Sequence, residues 1–143
     1  MTVQAILSAK GGNVLTIEPT ASIGAAAKIL AVRRIGALVV TGPEQRVIGI
    51  VSERDIVHVL AMRGAEALDL PLTEIMTRKV ATCGPSDTIS SIMERMTTGK
   101  FRHVPVIDQG RLAGIVSIGD VVKHRLQEME FEQNALRDYI QTA

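Results

Sequence analysis

Apolar residues recur at Ile23, Ala26, Ala27 and Leu30, and again at Ile89, Ile92, Met93 and Met96. Both sets follow i, i+3, i+4, i+7 spacing, which places each on one face of a helix. A short apolar stretch precedes each predicted helix, VLTI before Pro19 and VATC before Pro85, and reads as a strand. After each helix comes a second apolar run, GALVV or RHVPVI, then a turn, then RVIGIVS or RLAGIVS as a further strand. Ser52 and Ser117 each open another helix. The unit is strand, helix, strand, strand, helix, and it occurs twice.

The two copies align residue by residue. A shift of 66 sets Val14 on Val80, Thr16 on Thr82, Pro19 on Pro85, Ile23 on Ile89 and Val40 on Val106. The turn GPEQR is one residue longer than its counterpart DQGR, so the offset becomes 65 beyond it. GIVSERDI at 49–56 then meets GIVSIGDV at 114–121. A length change belongs in an exposed turn, so the chain reads as an internal duplication.

Between the copies, RGAEALDLPLTEIMTRK predicts a short helix, a break at Pro71 and a helical turn. From Lys123 to Ala143 a helix is expected, with Leu126, Met129, Leu136, Tyr139 and Ile140 as apolar members. That apolar side needs a partner. Together with Val59 and Leu60, read as surface positions of a helix, it predicts a homodimer. The expected divisions are 1–71 for the first repeat with its N-terminal segment, 72–130 for the second repeat, and 131–143 for the tail.

Composition narrows the function. The 143 residues are 46% hydrophobic but only 2% aromatic, so the core must be Val, Ile, Leu, Met and Ala. There are few rings on which bases could stack. A net charge of +1 with interspersed signs gives no footprint for duplex nucleic acid or an anionic membrane. The single Cys83 excludes an internal disulfide. No segment is apolar and long enough to span a bilayer, and the N-terminal apolar run is too short for a signal peptide, so a cytoplasmic protein is expected.

The candidate chemistry lies in Ser52-Glu-Arg-Asp55 and Ser117-Ile-Gly-Asp120. One reading is structural: Ser as N-cap and an acid three residues on form a capping box, favoured by the helix dipole. The other is a ligand site. A capping box prefers Glu or Gln, whereas both copies carry Asp. Both turns also follow a strand, at the sheet edge where α/β folds bind ligands. A helix N-terminus offers N–H groups to phosphate, and a carboxylate can accept two hydrogen bonds from a ribose diol.

With EIMTRKVATCGPSDTI, FRHVPVID and GRLAGIVSIGDVV beside the duplicated Gly-Ile-Val-Ser-x-x-Asp, the chain resembles the CBS (cystathionine β-synthase) domain family. Two such domains in tandem form a Bateman module, and the resemblance covers roughly residues 1 to 130. It implies an α/β (α+β) fold of two β-α-β-β-α repeats, with two small sheets packed about a pseudo-twofold axis and flanking N- and C-terminal helices. It also implies clefts that bind AMP, ADP, ATP, NAD or S-adenosylmethionine, and a regulatory role toward another protein.

Carried over by position, the ribose acid falls on Asp55 and Asp120, and the helix-starting hydroxyl on Ser52 and Ser117. The residue before the acid, on the phosphate side, falls on Arg54 and Gly119. The Asp120 cleft is expected to borrow Val14, Thr16 and Ile35, and the Asp55 cleft Thr77, Val80 and Thr82. The middle strand would contribute Gly36 and Ala37 to the Asp55 cleft, and Arg102 and His103 to the Asp120 cleft. Copy one has LVV where copy two has VPV, a departure that leaves the strand intact.

Two rival classes stand beside this. Cys83 with His103 or His58 would be the nucleophile pair of an enzyme, but no acid is spaced to orient either histidine. His58, His103 and His124 could be imagined as metal ligands. His58 and His124 are expected to face solvent or a helix partner, and the six Met to be core fillers and helix-face residues rather than a soft-metal box. A ligand-independent dimerisation module is the other class.

Overall fold

The computed structural model describes residues 1–142. Ala143, the last residue of the expected tail helix, lies outside them. In chain order the elements are α1 (Val3–Lys10), β1 (Thr16–Ile17), α2 (Ile23–Arg33), β2 (Ala37–Thr41), β3 (Val47–Ser52) and α3 (Glu53–Arg63). The second half holds α4 (Ile89–Gly99), β4 (His103–Asp108), β5 (Arg111–Ser117) and α5 (Ile118–Thr142). Two 3-10 turns, Ala65–Asp69 and Leu72–Glu74, flank Pro71 in the connection. The expected β-α-β-β-α order is present in both halves, with one reduction.

That reduction is the first strand of each copy. VLTI narrows to Thr16–Ile17, which pairs in parallel with Val39 and Val40 of β2. VATC narrows further, to one parallel bridge between Cys83 and Val106 of β4. Ile17 and Cys83 are equivalent under the shift of 66, so the pairing is the same in kind. Beyond it, β2 and β3 run antiparallel, as do β4 and β5. α2 and α4 open on capped starts: the Ser22 hydroxyl accepts from the Ala25 N–H and the Thr88 hydroxyl from the Ser91 N–H.

The two cores exchange their leading segments. The first gathers Ile17, Ile23, Leu30, Leu38, Val40, Val51 and Ile56, and takes Leu72 and Met76 from the connection. The second gathers Ile89, Ile92, Met96, Val104, Val106 and Val116, and takes Val3, Ile6 and Leu7 from α1. So α1, which precedes the first repeat in sequence, completes the core of the second. Glycine makes both approaches possible. A Cβ at Gly49 would lie 2.7 Å from the Met76 sulfur, and one at Gly114 would lie 2.6 Å from Leu7 Cδ2. Gly49 and Gly114 are equivalent under the shift of 65, which makes the exchange reciprocal.

Val59 is 6% exposed and Leu60 packs against the first core. Both therefore face inward, which corrects their reading as surface positions. The exposed large apolar residues of α3 are Val57 and Met62. The apolar members of α5 stand as expected, uncovered from Leu126 to Ile140. His58 is exposed, whereas His124 is buried and its Nδ1 has no hydrogen-bond partner among the described residues. No described helix is long and apolar enough to cross a membrane.

Candidate functional site

The strand-to-helix turns are built alike. Ala37 pairs with Ser52 across β2–β3, and His103 with Ser117 across β4–β5. The Glu53 N–H donates to the Gly36 carbonyl at 3.0 Å, and the Ile118 N–H to the Arg102 carbonyl at 2.8 Å. Each helix start is thereby pinned to the neighbouring strand. In copy one the Ser52 N–H donates to Asp55 Oδ2 at 2.8 Å, and the Asp55 N–H donates to Ser52 Oγ at 3.3 Å. In copy two the corresponding distances are 2.9 and 3.2 Å. Asp thus reaches the cap N–H without the extra methylene of Glu, so its presence in place of Glu or Gln does not argue against capping. Both acids cap, each through one oxygen.

A cleft of about 360 Å³ opens beside the first turn. Copy one supplies Gly36, Ala37, Ser52, Arg54 and Asp55, and the connection supplies Thr77 and Lys79, with Val80 just beyond it. Thr77 is held there by a two-way backbone bridge to Ile50, its N–H donating at 2.9 Å and its carbonyl accepting at 3.0 Å. Copy two contributes Lys100, Phe101, Arg102 and His103. Four cationic side chains, Arg54, Lys79, Lys100 and Arg102, therefore border one opening, against the acids Glu53 and Asp55. An apolar floor with convergent charges is the usual make-up of a small-molecule site.

Arg102 and His103 thus line the Asp55 cleft as well as flanking the Ser117–Asp120 turn, where His103 pairs with Ser117 and the Arg102 carbonyl accepts from the Ile118 N–H. The starts of β2 and β4 lie together, and the His103 ring rests on Gly36. A Cβ there would sit 3.1 Å from its Cε1 and Nε2. Burial pushes the His103 pKa below 6.5, opposed by Glu53 and reinforced by Lys10 and Arg102, with Asp120 opposing. The ring is therefore uncharged at neutral pH.

At the second turn, sequence reasoning missed Lys10. Its Nζ donates to Asp120 Oδ2 at 2.6 Å and to the Ile115 carbonyl at 3.0 Å. The shift of 65 maps Ile115 on Ile50, whose carbonyl accepts from the Thr77 N–H. A side chain thus does at β5 what backbone does at β3. Burial works against the Asp120 charge, but hydrogen bonds from Lys10 and Ser117 outweigh it and hold the carboxyl below its usual range. A depressed carboxyl contributes stability above its unfolded pKa and loses it as pH falls through the folded value. Lys10→Ala should therefore cost at most about 1 kcal/mol at pH 7, the pair being half-exposed. In urea melts the ion-pair share of that cost should start to shrink as pH falls below about 4 and be gone below the folded pKa of Asp120, leaving the share from the Ile115 carbonyl.

Of the other expected positions, Thr16 borders a separate shallow groove with Thr20, Thr41 and Pro43, and does not meet Asp120 there. Ile35 packs on the first core, and Val14 is half-buried in the loop before β1. The Thr82 carbonyl accepts from Arg95 at 2.5 Å, and Thr82 does not line the Asp55 cleft. Gly119 is exposed in the first turn of α5. Cys83 is buried, and burial with the nearby Asp87 charge pushes its thiol up to about 11 despite Arg95. Such a thiol is protonated at neutral pH and no nucleophile. Among the described residues no cluster of His, Cys, Asp and Glu could hold a metal ion.

Two interlocked repeats, capped alike and sharing a charged cleft, define a tandem-repeat α/β module. The chain belongs to the CBS domain family, whose sequence model matches residues 6–62 and 72–127. Among solved structures it is similar to the CBS-domain protein ATU1752 of Agrobacterium tumefaciens. The two share 48% identity and a TM-score of 0.84, over 87% of this chain and 99% of that one. The CBS domain pair of protein MJ0100, solved with 5-methylthioadenosine and S-adenosyl-L-methionine, shares 28% identity at a TM-score of 0.79. That match covers 90% of this chain and 98% of that one. PAE2072 of Pyrobaculum aerophilum, solved with AMP, shares 30% identity at a TM-score of 0.74, over 84% and 89%.

Proposed function

We propose that the chain is a regulatory module that binds an adenine nucleotide in the Asp55 cleft and reports its occupancy to a separate protein, working as a homodimer. The observation that carries this is the meeting of the Ser52–Asp55 turn with Arg54, Lys79, Lys100 and Arg102 around one opening. The second oxygen of Asp55 is left for a ribose diol, and the cations suit phosphates. The adenosine ligands of the MJ0100 and PAE2072 structures support the class. Within it, the cationic wall favours AMP, ATP or NAD over S-adenosylmethionine, whose sulfonium would meet like charge.

A second reading, a ligand-independent interaction module, draws on the completed capping boxes, which account for both acids without a ligand. Thermal melts with each ligand separate the two, because a ligand of the folded state adds RT ln(1 + [L]/Kd). AMP, ATP or NAD at 1 mM should raise Tm by several degrees if Kd is about 10 μM, since about 2.7 kcal/mol is added at a hundredfold excess. No shift with any of them favours the interaction module.

His103 adds a pH signature. A phosphate placed in the cleft favours the charged ring, so binding should take up a proton at His103. Affinity for ATP should rise about three- to tenfold between pH 7 and 5.5, one linked proton giving at most tenfold per unit. The nucleotide's own phosphate titrates in the same range, so the comparison is with His103→Gln. Calorimetry should show a clear difference between the two slopes; equal slopes would leave His103 only a packing role.

A further inference from the structure

The family match ends at residue 127, but α5 continues unbroken to Thr142. Only its first part is fixed to the body, through buried Val121 and His124 and an ion pair at 3.0 Å from the Met1 amino group to Glu128. On another side of the helix, Val122, Leu126, Met129, Gln133, Leu136 and Ile140 are spaced alternately by four and three. That is the a/d pattern of a coiled-coil seam. The stripe is uncovered throughout, from 43% exposure at Val122 to 65% at Ile140.

We propose that this stripe is the seam of a parallel two-stranded coiled coil between two copies of the chain. The flanking charges identify the occupant. With Leu126, Gln133 and Ile140 at a, Arg125 and Glu132 fall at g, and Glu130 and Arg137 at e. In a parallel pair each g residue faces the e residue five positions on in the other copy. Arg125 then meets Glu130, and Glu132 meets Arg137, opposite charges both times. The antiparallel pairing that keeps the whole 122–140 seam in contact would set Glu130 against Glu130 and Glu132 against Glu132. Gln133, a lone polar residue at a, pairs with itself and fixes the register. The seam is under three heptads, short for a free coiled coil, but the body already holds each helix at its start, which removes the cost of nucleation.

The inference rests on the homodimer part of the proposed function and not on nucleotide binding. It is tested on the full chain. Leu126→Cys and Ile140→Cys, each in a Cys83→Ser background, should both form an inter-chain disulfide on mild oxidation, because a parallel register brings identical seam positions together. Sedimentation of the unoxidised wild type should give twice the mass of the 15.4 kDa chain. Glu132 and Arg137 make no ion pair among the described residues, whereas Arg125 holds Glu128. Glu132→Arg or Arg137→Glu alone should weaken the dimer at least about tenfold, as two attractive pairs become repulsive, and the double exchange should restore it. A monomeric wild type, cross-linking at one or neither position, or a double variant as weak as the singles would overturn the proposal. A chain that cross-links at both positions yet binds no AMP or ATP sustains the coiled coil and removes only the nucleotide reading.

Discussion

Replacing Asp55 by asparagine should weaken adenine-nucleotide binding on the order of a hundredfold while leaving the fold within about 1 kcal/mol of wild type. Asparagine keeps one oxygen to accept from the Ser52 N–H, so the capping box that Asp55 closes at 2.8 Å survives in outline. What goes is the negative charge and the second acceptor. Hydrogen bonds to a charged group are worth about 1.5–3 kcal/mol each, and a ribose diol would lose their charge assistance at both hydroxyls. Titration calorimetry against AMP and ATP, paired with a urea melt, separates the roles. Lost affinity with retained stability marks a ligand acid. Lost stability with retained affinity marks a cap and nothing more.

Leu38→Ala should lower stability by about 3 kcal/mol, which in a domain of this size is roughly 10 °C in Tm. Leu38 is fully buried in β2, opposite Val51, in the core that Leu30, Ile56 and Leu72 complete. Truncation leaves a hole that these packed neighbours cannot close without shifting strands. Val32→Ala is the matching control. Val32 is 70% exposed on α2, so its truncation should stay within about 0.5 kcal/mol. A loss below about 1 kcal/mol for Leu38→Ala would show that the core is looser than its burial implies.

The repeat, the order of elements and both helix-opening turns were legible because each is written locally: a 3.6-residue apolar period, a proline after a short strand, a serine at a helix start. The failures share a different physics. Lys10 reaches Asp120 from 110 positions away, through α1 packing on the second core, and no local pattern records that. A faint signal did exist: the shift of 66 sets Ile6 on Leu72, two apolar residues that each complete the opposite repeat's core. That Arg102 and His103 reach the Asp55 cleft as well as the Asp120 turn is not legible, because the sequence orders strands but does not show that the start of β4 meets the start of β2, where His103 lies on Gly36. VATC shrank to one bridge at Cys83 because the preceding chain leaves the sheet to pair Thr77 with Ile50 and wall the cleft. Val59 and Leu60 were read outward since a helix with mixed faces looks alike from either side until the sheet beneath it is placed.

The central claim, an adenine-nucleotide site at Asp55, is tested most directly by calorimetric titration of the wild-type chain with ATP, AMP and adenosine. Saturable binding is expected, with ATP tightest and adenosine weakest by at least about tenfold, since Arg54, Lys79, Lys100 and Arg102 meet phosphates that adenosine lacks. Absence of binding up to about 1 mM, equivalent to less than about 4 kcal/mol, or adenosine binding as tightly as ATP, would contradict it.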